Sequence, residues 1–115
     1  MPTVSRRHLL AACATLTAAP VLAQTPAAPV PSFTITARNQ KFEPAELEVP
    51  AGQKIELRIV NAETRSIEFE SKQLRREKVI AAGQTAIVFV GPLKPGRYEF
   101  ENEFHPQTRG HLVVK

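Results

Sequence analysis

The sequence predicts an all-β sandwich of about eight short strands. Apolar and polar residues alternate in brief runs, Pro and Gly punctuate those runs, and no stretch carries an apolar stripe at the 3.6-residue spacing of a helix. The expected strands are Phe33 to Ala37, Glu46 to Val49, Lys54 to Asn61, Ser66 to Glu70, Lys78 to Ile80, Thr85 to Val90, Arg97 to Glu101 and Leu112 to Val114. In the third, Ile55, Leu57 and Ile59 share one face while Lys54, Glu56 and Arg58 take the other, as in a strand of an antiparallel sheet with one face in a core. Ile67 and Phe69 point together in the same way, which places Glu68 and Glu70 side by side on the opposite face. Tyr98 and Phe100 mark the core face of the penultimate strand. Turns come from Pro50-Ala51-Gly52, Ala82-Gly83 and Pro92-Leu93-Lys94-Pro95-Gly96, which supply fixed or positive φ. Between Lys72 and Glu77 the pattern allows one helical turn at most.

The sandwich is expected over residues 32–115 of the 115 in the chain. Residues 1–23 read as a twin-arginine-type export signal: Ser5-Arg6-Arg7-His8-Leu9-Leu10, an apolar stretch from Leu9 to Ala19, then a Val21-Leu22-Ala23 cleavage site. That apolar stretch is too short for a permanent membrane anchor, so the mature chain is expected in the periplasm without membrane insertion. Leu10-Ala11-Ala12-Cys13 resembles a lipoprotein box, but the apolar run ahead of Cys13 is only a few residues long. A buried N-terminal helix fits poorly with the Pro-rich sequence that follows. Residues 24–31 (Gln-Thr-Pro-Ala-Ala-Pro-Val-Pro) form a Pro-rich spacer.

Composition narrows the chemistry. Without the signal, 13 of the 15 Lys and Arg remain against 11 Glu, a net charge of +2, and no stripe of basic and aromatic residues suited to nucleic acid appears. Cys13, the only cysteine, leaves with the signal, so neither a disulfide nor a thiol nucleophile remains. There is no Asp, no Gly-rich phosphate loop and no Gly-x-Ser-x-Gly elbow, which excludes a Ser-His-Asp hydrolase and a nucleotide-binding loop.

What remains is a set of oxygen donors with one imidazole. Glu68 and Glu70, at i and i+2 of a strand, project to one side, although strands routinely show such pairs to solvent. Glu101, Asn102, Glu103 and His105 lie within five residues where a strand is expected to give way to a loop. Hard carboxylates with one imidazole suit iron, manganese or copper(II) better than a structural zinc or copper(I). His111 reads as a surface histidine, and Arg75-Arg76-Glu77-Lys78 as a solvated face with internal ion pairs.

The segment Arg97-Tyr98-Glu99-Phe100, followed by Phe104-His105-Pro106 and Gly110-His111-Leu112-Val113, resembles the C-terminal layout of cupredoxins with Asn102 in the place of cysteine. With Glu68-Phe69-Glu70-Ser71, Leu74-Arg75-Arg76-Glu77-Lys78 and Gly91-Pro92-Leu93-Lys94-Pro95-Gly96, the chain from Phe33 to Val114 resembles the cupredoxin-like domains of bacterial periplasmic iron uptake. Those include the EfeO-type domain and stand-alone partners of ferrous-iron permeases. The resemblance implies a Greek-key sandwich or barrel that binds iron and/or copper and helps deliver iron to a membrane permease, a role that extends to oxidising ferrous iron. It carries over Glu68 and Glu70 from the first motif, and Asn102, Glu103 and His105 from the second. The family usually has Asp, and in some members Cys, near Asn102 and Glu103, and Asn is the poorer ligand. Two rival readings are a metal-free interaction module and a copper electron carrier; the second lacks a thiolate and any methionine after Met1.

Overall fold

The computed structural model describes residue 3, residues 11–20 and residues 29–115. The Ser5-to-Leu10 motif, the Val21-Leu22-Ala23 cleavage site and residues 24–28 of the spacer lie outside the described residues. Among the described residues there are nine strands and no helix: β1 (Ser32–Arg38), β2 (Lys41–Glu43), β3 (Glu46–Val49), β4 (Ile55–Asn61), β5 (Ile67–Ser71), β6 (Arg76–Ile80), β7 (Thr85–Val90), β8 (Gly96–Asn102) and β9 (His105–Val114). They form a four-stranded sheet, ordered β2-β1-β4-β7, facing a five-stranded sheet, ordered β3-β9-β8-β5-β6.

The all-β sandwich is as the alternation predicts, with one correction to its sense. Each sheet is mixed rather than antiparallel, because β1 runs parallel to β4 and β3 parallel to β9. Period-2 alternation reports which face is buried, and is blind to the direction of the neighbouring strand. The additional strand is β2, whose Phe42 is 2% exposed. It enters through a two-residue turn in which Asn39 (φ 52) and Gln40 (φ 58) are both left-handed, as a type I′ hairpin requires.

The core lies between the sheets. Phe100 packs edge-on against Phe42 at 5.1 Å and tilted against Phe69 at 5.2 Å, tying β8, β2 and β5 together. Gly110 is required on β9 beside this cluster: a Cβ there would stand 2.5 Å from the Phe100 ring and 2.9 Å from the Ala45 carbonyl oxygen. Alternation along β4 carries Asn61 into the end of the core, fully buried. Its Nδ2 donates to the carbonyls of Arg65 (2.8 Å) and Ile80 (3.0 Å), and its Oδ1 accepts from the Glu63 amide, so the entry to β5 is fixed by one side chain.

Two hairpins set up the outer face of the five-stranded sheet. Residues 72–75 make the tip of the β5–β6 hairpin, with Arg75 left-handed (φ 55), in place of the helical turn allowed by the sequence. The β8–β9 connection is shorter than the expected ligand loop: Asn102 pairs with His105 across a two-residue turn, Glu103-Phe104.

Candidate metal centre

Strand register places three carboxylates in one row. Glu70 on β5 stands directly opposite Glu77 on β6 and directly opposite Glu101 on β8. Like charges facing across strands destabilise a sheet, so this row calls for a proton or a cation. Glu68, two residues before Glu70, lies on the same face. The β8–β9 turn delivers Glu103 to it, the Glu103 amide donating to the Glu68 carbonyl at 2.9 Å.

Glu68, Glu77 and Glu103 each bring a carboxylate oxygen within 4.8 Å of the others, close enough to grip one ion. Glu70 adjoins them on the same face. Burial, hydrogen bonding with Glu103 and the charges of Glu103 and Glu101 push its pKa above the ordinary carboxylate range, against the pull of Lys72. Glu101 reaches toward β9, its Oε2 lying 3.4 Å from Arg109.

Glu77 is the member that the sequence did not reveal. Read as part of a solvated run, it gains its place only from the hairpin, whose register sets it opposite Glu70. The signal was present in the equal spacing of Glu70 and Glu77 about a four-residue tip.

Asn102 and His105 are engaged elsewhere. Asn102 Oδ1 accepts from the amides of Glu68 (3.0 Å) and Phe104 (3.1 Å), so its oxygen closes the hairpin. His105 is absent from the group of three carboxylates and lines a cavity of about 240 Å³ with Ile67, Asn102 and Phe104. Thr108 Oγ1 donates to the Gln40 carbonyl at 2.7 Å, so at 2.8 Å it accepts from His105 Nδ1. The neutral imidazole then keeps its lone pair on Nε2.

A copper–thiolate centre does not fit these residues. The one cysteine, Cys13, is outside the sandwich, and the position that closes the β8–β9 hairpin is an amide already holding two backbone N–H groups.

Comparison with known proteins points to one fold. The family model described as the cupredoxin-like domain matches residues 8–114. The uncharacterized protein RP394 of Rickettsia prowazekii is 42% identical over 81 residues, 70% of this chain and 65% of that protein, so the chain spans just under two thirds of this relative. Among solved structures, the Cu(I)-bound metal-binding domain of the Streptococcus pneumoniae Cu(I)-exporting P-type ATPase CopA superposes with a TM-score of 0.67 at 19% identity. That match covers 73% of this chain and 84% of the other. A reduced proline-to-phenylalanine variant of amicyanin gives 0.59 at 21% identity, covering 73% and 82%. At these identities the likeness is one of fold.

Proposed function

The chain belongs to the cupredoxin-like domain family, and from that premise we propose that it is a metal-binding component of periplasmic iron transport, with a hard-cation site in place of the blue-copper centre. The observation that carries this reading is the convergence of Glu68, Glu77 and Glu103 within 4.8 Å, with Glu70 beside them, opposite Glu77. Oxygen donors of this kind suit iron, and they stabilise the ferric state over the ferrous. The protein would thus hold iron and/or copper for hand-over to a membrane permease, and a ferric-selective site would lower the potential of bound iron, the electron from ferrous iron oxidised there passing to copper, a partner protein or oxygen. His105, held through Nδ1 by Thr108 on the far side of the same hairpin, stands outside this group. Export by the twin-arginine route fits a protein that folds before crossing.

The experiment is a thermal melt with and without Fe and Cu, alongside elemental analysis of the purified protein. Metal at about 100 times its Kd should add about 2.7 kcal/mol and raise the midpoint on the order of 10 °C for a domain of this size. Identical melts with either metal would overturn the reading and favour the metal-free interaction module, to which the backbone-capping role of Asn102 already lends support.

A further inference from the structure

A groove adjoins the carboxylate group, and the ligand assigned to it depends on the metal-binding reading. Strand β5 pairs with β8 only at Phe69 opposite Asn102 and Glu70 opposite Glu101. Beyond that point side chains replace the backbone ladder: Ser71 Oγ donates to the Glu99 carbonyl, and Gln73 Oε1 accepts from the Glu99 amide, both at 2.6 Å. The hairpin tip is thereby held away from β8, and a groove of about 560 Å³ runs over β8 and β9.

Its charge changes along its length. The outward residues of β8 run Glu101, Glu99, Arg97, so one end abuts the carboxylate group, with Glu70 as shared wall, and the other carries Arg97, which shares its charge with Glu46 at 2.6 Å. Lys72 overhangs from the hairpin tip, with no carboxylate within 4.0 Å among the described residues. Arg109 divides its charge between Glu99 (2.9 Å) and Glu101 (3.4 Å). A multivalent ion at the carboxylate group competes with Arg109 for Glu101 and leaves the groove net positive. A matching ligand carries a cation at one end and several carboxylates at the other.

We propose that the groove receives a small polycarboxylate chelator, so that the ion is taken up as an anionic chelate, its metal against Glu68, Glu77 and Glu103 beside Glu70 and its free carboxylates against Lys72, Arg97 and Arg109. Calorimetric titration under anaerobic conditions with three probes, Fe(II), citrate and the Fe(II)–citrate complex, tests this on the wild type and on Lys72→Glu and Arg97→Glu, both exposed positions. The complex should bind the wild type more tightly than either component. Each charge reversal should weaken the complex about tenfold while leaving Fe(II) alone as tight or tighter. Fe(II) that binds with the same affinity with or without citrate, or charge reversals that leave the complex unaffected, would overturn the chelate and leave the metal site standing. Failure of Fe(II) in every form would remove the metal-binding reading and this inference with it.

Discussion

Glu70 shows how one side chain couples the sheet to its chemistry. Its carboxyl titrates higher in the fold than in the unfolded chain, so the stability it contributes is complete below the ordinary carboxylate value, about pH 4, and is lost as pH rises through the raised folded value. In metal-free protein, Glu70→Gln should therefore raise the melting midpoint at neutral pH and flatten the fall in stability between mildly acidic and neutral pH. Melts across that range decide it: an unchanged profile would mean that Glu70 titrates alike in the folded and unfolded chain. Asn61 makes the contrasting case, a buried polar residue whose work is structural. Asn61→Ala strips partners from buried carbonyls and should cost about 1–3 kcal/mol in denaturant unfolding, with metal affinity intact in the folded fraction. At this scale alternation and proximity in the chain are enough to set Glu68, Glu70 and Glu103 on a shared face, whereas nothing in a sequence reports that the Asn102 amide oxygen is already taken by two N–H groups.

Hairpins, rather than strands, make the site. The β5–β6 hairpin sets Glu77 opposite Glu70, and the tight β8–β9 turn swings Glu103 onto the same face while the paired His105 lies on another side. Glu77→Gln and Glu103→Gln should accordingly each weaken iron binding by about tenfold or more, and His105→Ala should cost less than either. Calorimetry on the three variants measures this order, and a dominant loss at His105 would relocate the site. Register was the element-scale fact hidden from the sequence. Most strand bounds followed from alternation within a residue or two, yet the residues 72–75 tip, the three-residue β2 and the backward extension of β9 to His105 all depend on pairing partners distant in the chain. Gly110 likewise becomes intelligible only when β9 meets Phe100. Gly110→Ala should destabilise by about 1–3 kcal/mol through overpacking, read as a lowered unfolding midpoint.

Across the whole molecule, a sandwich closed by three phenylalanines carries its polar chemistry on an outer face of one sheet, away from the core that holds it in shape. The fold is similar to that of copper-binding proteins, while the carboxylates gathered on one face offer oxygen in place of sulfur. The lack of sulfur in the sandwich is a matter of composition and was legible in the sequence, whereas the mixed direction of the sheets was not. The most direct test of a carboxylate metal centre is calorimetric titration of the purified protein with iron, beside the Glu68→Gln/Glu103→Gln double variant. One saturable site is expected in the wild type, and the double variant should lose it while retaining its fold. Equal binding by both proteins, or none by the wild type, would contradict a centre built from these side chains.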